Sequence, residues 1–294
     1  MIRRPPRSTR KESSAASDVY KRQHQCGLQL TDYKNARDSV FVNFQNESLD
    51  NDLVFCKPEY LNLLSTYVKI GSVKLPDVFD LVTHNSDMNF GAQEIDYVLG
   101  LFPNINNSYT QNLILDHPKL KPIPIGIANP KWSHGNQSRF FEIMGEGLKK
   151  TNKVYVNFNV STNPPARHDC LNKISDQYPL QNKKNYPNAS SIEDHDNFVD
   201  STQKDYLRDI AESYFTVSPV GNGVDCHKTW ESLYMKSIPI VTRWYGVEKF
   251  KEMGIPILII DDWSQLKDLD LSPDLYHKLW QDFEPNSLNF NFFK

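Results

Sequence analysis

The chain has 294 residues and a formal net charge of −3, with 39% hydrophobic and 12% aromatic residues. This composition is typical of a globular protein and excludes an intrinsically disordered chain. The small net charge gives no reason to expect a nucleic-acid partner, and no apolar run reaches the roughly 18 residues of a membrane span.

The first residues have a different composition from the rest. Residues 1–22 hold seven Lys or Arg residues and two acidic residues, and they have no apolar run long enough for a signal peptide. The string MIRRPPRSTRKESSAASDVYKR resembles a translated sequencing adapter of a metagenomic fragment. We therefore expect residues 1–23 to be a non-native, disordered segment and the natural N-terminus to be missing.

The four cysteines stand far apart, with no CxxC pair among them. Such spacing predicts neither a zinc site nor a disulfide framework. Reduced thiols are typical of a cytoplasmic protein, which is the location that we expect. A lost N-terminal anchor or signal stays open as an alternative.

The first half of the chain alternates β-rich runs with one amphipathic stretch. The segment 58–69 carries Tyr60, Leu61, Leu64 and Tyr67 at helical spacing behind a proline, which predicts a helix. The run 79–83 is apolar and is followed by polar residues, as expected of a buried strand that opens into a cleft. Predicted strands of this half are 39–44, 52–57, 79–83, 112–118 and 121–129.

A second series follows, with helices predicted at 138–150, 203–213 and 228–236 and strands at 153–161, 214–218, 238–241 and 255–260. The polar stretch 163–200 is predicted to be mainly loop with short helices. Strands that alternate with helices predict parallel sheets with right-handed crossovers. We therefore expect an α/β protein of two domains of similar size, residues 24–149 and residues 150–294.

The segment 214–241 follows the order strand, glycine loop, helix start and strand. Gly221 and Gly223 can take positive φ and let the backbone approach a ligand. A helix that starts near His227 presents free N–H groups and a positive dipole end to a diphosphate, with Lys228 beside it. A glycine loop alone is more often a plain turn, but the basic helix start strengthens the nucleotide interpretation.

Glu231 lies one helical turn beyond Lys228, where a carboxylate can accept both hydroxyls of a ribose. Trp230, Leu233 and Tyr234 form the apolar face that is predicted to seat this helix on its sheet.

This stretch resembles the nucleotide-sugar-binding motif of exostosin-like glycosyltransferases of the GT-B fold. The matching residues are Ser218-Pro219, Gly221-Asn222-Gly223, Asp225, Lys228, Trp230-Glu231 and Ile238-Pro239-Ile240-Val241. Such proteins often have Arg where this chain has Lys228. Arg can bind a phosphate through two hydrogen bonds, whereas Lys offers a single point charge. They usually have Gly where Ser237 stands.

The resemblance extends to the stretches 81–87, 109–112, 117–129, 132–136 and 259–263. It implies two facing Rossmann-like domains with a cleft between them, residues 24–149 for the acceptor and residues 150–294 for the nucleotide. It also implies a nucleotide-diphosphate sugar as donor and a glycan or other hydroxyl as acceptor. It also implies that Arg167 faces the donor phosphates, although an Arg in a polar loop can simply be exposed. No cofactor is implied.

Polar residues after the strand 79–83 lie where open α/β sheets bind ligands. His84 or Asp87 could be the base that takes the acceptor proton, although His84 could equally bond only to backbone. Further candidates for the cleft or the acceptor are Asn85, Asn129, His134 and Asn157.

Three pairs of aspartates with one residue between them were considered as metal ligands: Asp50 and Asp52, Asp194 and Asp196, and Asp268 and Asp270. All lie in polar stretches, so we expect solvated loop acids and no metal. The sequence thus predicts a metal-independent glycosyltransferase. Alternatives are a fucosyltransferase-like enzyme, whose acidic-lysine pair is absent here, and a non-catalytic nucleotide- or carbohydrate-binding protein.

Overall fold

The computed structural model describes residues 29–30, 53–128, 135–181, 192–281, 283–285 and 288. The described chain forms two parallel sheets, the first between residues 29 and 122 and the second between residues 152 and 260. The predicted α/β class with two Rossmann-like sheets is confirmed.

The strands of the first sheet pair in chain order, and all pairs are parallel. They are β1 (Gln29–Leu30), β2 (Leu53–Cys56), β3 (Phe79–Thr83), β4 (Ile105–Thr110) and β5 (Leu120–Pro122). Because β2 and β3 run side by side, Cys56 lies opposite Thr83, and the chain that follows each strand emerges at one edge.

The second sheet is also parallel and pairs in chain order. Its strands are β6 (Asn152–Tyr155), β7 (Ser213–Val217), β8 (Ile238–Thr242) and β9 (Leu258–Ile260).

Eight α-helices lie in the described part of the chain, and none of them is long and apolar enough to cross a membrane. They are α1 (Leu61–Lys69), α2 (Ala92–Leu101), α3 (Gln137–Gly145), α4 (Pro164–Ile174), α5 (Ile192–Ala211), α6 (His227–Tyr234), α7 (Tyr245–Glu252) and α8 (Pro273–Trp280).

Three apolar layers hold these elements together. Alternate residues of each strand face opposite sides, so Cys56 and Leu81 pack with α1 and α2 on the outer side of the first sheet. On the other side, Phe55 and Val82 belong to a cluster that also contains Tyr155 and Trp230 of the second half. We call this cluster the shared layer. A third cluster covers the far side of the second sheet.

The prediction of a strand at 112–118 is wrong. Residues 112–118 form no strand, because Asn112 adopts a left-handed φ of 56° and the chain then turns; Leu113 makes only an isolated bridge to Phe90. The strand of this region is β4, whose polar residues conceal it in the sequence.

The stretch 163–200 is more helical than predicted. It contains α4 and the beginning of α5. The start of α4 has a clear signal, since the Asn163 side chain accepts the N–H of Ala166 and a proline occupies the first turn. The predicted strand 39–44 lies outside the described residues.

Candidate active site

The loop 218–226 joins β7 to α6 at the carboxyl edge of the second sheet. Ligands of open parallel α/β sheets bind at this kind of edge. Every residue of α6 from Thr229 to Tyr234 is buried, so the helix and its start are held firmly against the protein. At the start of α6 the N–H of Thr229 donates to the carbonyl of Cys226 at 3.0 Å, and this end of the helix carries the positive end of its dipole.

Ser218 fastens the beginning of this loop. Its hydroxyl lies 3.0 Å from that of Thr229, and its N–H donates to the carbonyl of Ile240 at 2.9 Å. Both hydroxyls are buried, so Ser218 connects the loop with α6 and β8.

Gly223 and Gly221 do not have the positive φ that the sequence interpretation expected; that expectation is wrong. Gly223 is needed for space. A Cβ at this position would lie 2.5 Å from Nδ2 of Asn112, which is closer than real side chains come. Because Gly223 has no Cβ, the Asn112 side chain can lie against the loop. Its Oδ1 accepts the N–H of Asp225 at 3.0 Å, and its Nδ2 donates to the carbonyl of Ser86 at 3.2 Å.

Gly221 also lies close to a neighbouring side chain, that of Arg167. A Cβ on Gly221 would lie 3.3 Å from both Arg167 Nη2 and Cys226 Sγ. Arg167 belongs to α4 and is buried, which the prediction of a polar loop did not foresee. Its guanidinium donates to the carbonyls of Val220 at 3.0 Å and Asn159 at 2.5 Å. Arg167 therefore holds the glycine loop through the Val220 carbonyl, and its positive charge lies beside Gly221.

Asp225 is a buried carboxylate that joins the two halves of the protein. It accepts the N–H of Ile125 at 2.7 Å and the indole N–H of Trp230 at 2.9 and 3.0 Å. Burial raises the pKa of Asp225 to about 7, although these donors favour the charged form and oppose the shift. The Asp225 carboxylate therefore serves as a hydrogen-bond acceptor for groups of the protein itself.

Three further hydrogen bonds cross from the first half to the loop and the helix start. Asp87 and Asn89 are exposed; Asp87 accepts the side chain of Asn222, and Asn89 accepts the N–H of Val224, each at 3.1 Å. The His227 ring lies 2.6 Å from the carbonyl of Gly126. The structure therefore brings Asp87 next to Asn222, at the exposed side of the loop.

His84 is buried at the end of β3, and both of its ring nitrogens are used. Nε2 lies 3.0 Å from the carbonyl of Pro124, and Nδ1 lies 2.9 Å from the side-chain oxygen of Asn85. Burial lowers the pKa of His84 and the nearby His227 lowers it further, although the contacts with Asn85 and Pro124 favour the charged ring. His84 thus braces the chain after β5, and Asn85 is half-buried beside it.

Lys228 and Glu231 meet at the hydroxyl of Tyr206, which comes from α5. This hydroxyl donates to Glu231 Oε2 at 2.6 Å and accepts the Lys228 ammonium at 2.8 Å. Glu231 is only 7% exposed. Its second oxygen, Oε1, makes no hydrogen bond with the described residues, which leaves it available to a ligand.

Asn157 follows β6 and lies near the same group of residues. Its Nδ2 donates to the hydroxyl of Tyr155 at 2.7 Å, and its Oδ1 is buried without a hydrogen-bond partner in the described chain. The rings of Tyr155 and Tyr206 are 6.1 Å apart. The structure therefore puts Asn157 on the α5 side of the second sheet, where Tyr155 connects it with Tyr206.

Three functional candidates were not singled out from the sequence. Tyr206 was predicted only as part of the helix 203–213, and Asn112 only as part of a resembling stretch. Asn89 was not part of any prediction. No local signal points to Asn112, because its left-handed φ and its contact with Gly223 are visible only in the structure. Of the predicted cleft residues, Asn129 and His134 lie outside the described residues.

Metal-ligating side chains do not gather in threes anywhere in the described chain. Asp268 and Asp270 are exposed, as predicted. Residues 194–196 are helical rather than loop, since they belong to α5, and residues 50–52 lie outside the described part.

We predict that Gly223→Ala destabilises the protein by about 1–3 kcal/mol, because a methyl group must displace the Asn112 side chain and its hydrogen bonds. Urea denaturation measures the change. Gly100→Ala is the matched control, since Gly100 lies in α2 with open space around it, and it should be neutral or stabilising. In an Asn112→Gly background, Gly223→Ala should destabilise the protein less. An unchanged destabilisation would show that the Asn112 side chain is not what clashes with the added methyl group.

We predict that titration of Asp225 makes stability fall as the pH rises from about 4 to about 7. The folded pKa of about 7 lies above the ordinary value of 3.8, so the folded state holds the proton more tightly over this range. The measurement is the thermal midpoint of the parent minus that of Asp225→Asn, from pH 4 to pH 8, because the difference cancels other groups. It should decrease with pH and level off above 7; a constant or rising difference would contradict the prediction.

Comparison with known proteins gives one family match and no match among curated proteins. The matched family is the RXYLT1 C-terminal domain, that of a ribitol xylosyltransferase, and the match covers residues 141–271. This range includes all four strands of the second sheet, the glycine loop and α6. Residues 141–271 therefore resemble a glycosyltransferase-family domain, which agrees with the coarser part of the sequence prediction.

Proposed function

We propose that the protein transfers a sugar from a nucleotide-diphosphate sugar to a hydroxyl of a glycan or another acceptor, without a metal. The observation that carries this proposal is the glycine loop with its exposed Asn222 and the half-buried, basic start of α6, within the segment that matches a glycosyltransferase-family domain. Because the matched family is that of a ribitol xylosyltransferase, a xylosyl donor is the first one to test.

The donor diphosphate is proposed to bind at the start of α6. The positive end of the helix dipole favours an anion there. Lys228 lies in the first turn, and Arg167 lies directly under Gly221. As the bond to the sugar breaks, negative charge grows on the diphosphate, and these fixed cations stabilise it. The proposal assigns to them the charge neutralisation that a metal ion supplies in other transferases.

Glu231 is proposed to bind the ribose of the donor. A buried carboxylate with one oxygen held by Tyr206 and the other available can accept a hydroxyl proton in a defined direction. Ser218, Asn222 and Asp225 are proposed to shape this site, Ser218 and Asp225 by fixing the loop and Asn222 from its exposed side.

Asp87 is proposed as the base that accepts the proton of the acceptor hydroxyl. It is an exposed carboxylate from the first half of the chain and is 3.1 Å from Asn222 of the donor loop. A carboxylate in this position can reach an acceptor that lies between the loop and β3. His84 is less suitable because its nitrogens are both used, so we assign to it the support of the chain around Pro124.

We predict that Lys228→Met and Glu231→Gln each weaken the binding of a nucleoside diphosphate by about 10- to 100-fold, the loss expected for a hydrogen bond to a charged group. Isothermal titration calorimetry with uridine and guanosine diphosphates measures the change. Lys251→Met, on the exposed end of α7, removes the same charge elsewhere and should bind as the parent does. Equal affinities in all four proteins would refute the assigned donor site.

We predict that Asp87→Asn lowers the rate of sugar transfer by about 100- to 10,000-fold and leaves nucleotide affinity nearly unchanged, since a general base acts on the acceptor and not on the donor. Release of the nucleoside diphosphate from a panel of nucleotide sugars, with glycan acceptors present, measures the rate. A parent protein that binds the nucleotide but never releases product would instead favour a non-catalytic binding protein.

A further inference from the structure

Tyr206 stands apart from the β7–α6 segment in sequence but touches both of its charged side chains. It belongs to α5, and its hydroxyl lies 2.6 Å from Glu231 Oε2 and 2.8 Å from Lys228 Nζ. The Lys228 ammonium also lies 4.3 Å from the centre of the Tyr206 ring. One side chain therefore contacts both groups that the proposed donor site uses.

The direction of this hydrogen-bond chain is fixed by chemistry. A carboxylate can only accept and an ammonium can only donate, so the hydroxyl gives its proton to Glu231 and receives one from Lys228. Burial and the nearby Glu231 raise the pKa of Tyr206 well above 10, and the hydroxyl therefore keeps its proton at all physiological pH values.

This chain restricts two side chains that are otherwise flexible. Lys and Glu lose considerable rotamer entropy when they are held in one conformation. Here the ring and hydroxyl of Tyr206 hold the ammonium, and the hydroxyl holds one carboxylate oxygen, so that this loss occurs on folding and not on ligand binding. Tyr206 is itself packed near Tyr155 of β6, with ring centres 6.1 Å apart.

We propose that Tyr206 is a positioning residue of the donor site, which presents the free oxygen of Glu231 to a ribose hydroxyl and restrains Lys228 beside the diphosphate. The ligand class is a nucleoside diphosphate. This inference rests on the proposed function, because it needs Lys228 and Glu231 to contact the donor. It adds a residue from α5, whose sequence gave no sign of a role at the site.

The test is Tyr206→Phe, which keeps the ring under the ammonium and removes only the hydroxyl. The ammonium is then free to turn onto the Glu231 carboxylate, which takes both groups away from the ligand. Affinity for uridine or guanosine diphosphate, whichever the parent binds, should fall about tenfold or more. Tyr97→Phe removes a hydroxyl from an exposed tyrosine of α2 and should leave the affinity unchanged.

A double-mutant cycle separates positioning from a general structural effect. If Tyr206 acts through Glu231, Tyr206→Phe should have a much smaller effect in a Glu231→Gln background than in the parent. If it only stabilises the fold, the thermal midpoint should fall while the nucleotide affinity of the folded protein stays the same. That result, or fully additive losses of affinity, would overturn the inference.

The outcomes also distinguish the two proposals. A parent protein that binds neither nucleoside diphosphate refutes the proposed function together with this inference. A parent that binds, with Tyr206→Phe binding equally well, refutes the role of Tyr206 alone and leaves the donor site standing.

Discussion

A single buried carboxylate, Asp225, determines how the two halves of this protein meet. It accepts a backbone N–H from Ile125 of the first half and the indole N–H of Trp230 in the second, so neither donor is left buried without a partner. An unpaired buried donor is costly, and removal of this carboxylate would leave two. The glycine loop precedes Asp225 directly and takes its position from it. Asn112 completes the attachment from the first half by accepting the Asp225 N–H.

The charged residues at the proposed donor site are arranged around this attachment. Arg167 supports the loop from α4, and Tyr206 holds Lys228 and Glu231 from α5, so three separate elements converge on one loop-helix segment. Asp87 meets the segment from the other half. Because most of these contacts use backbone carbonyls or fixed side chains, the site needs little reorganisation when charge develops in it, which is the condition for electrostatic catalysis.

The sequence predicts those parts of the structure that follow from local patterns. The fold class follows from alternating strands and helices, and the buried face of α6 follows from the spacing of Trp230, Leu233 and Tyr234. Contacts between distant segments have no local signal. The Gly223–Asn112 approach and the Tyr206 bridge therefore emerge only from the three-dimensional arrangement. The polar strand β4 was missed for a related reason, because its burial comes from neighbouring strands and not from its own composition.

The shared layer has a consequence for the evolution of this protein. Phe55 and Val82 of the first sheet pack in the same cluster as Tyr155 and Trp230 of the second half, so each half completes the core of the other. A recombination event that exchanged one half for that of a distant homologue would have to preserve the shapes of both sides together. Under the proposed function, changes in acceptor preference should therefore arise through substitutions in exposed loops such as that of Asp87 and Asn89, and not through exchange of a whole half.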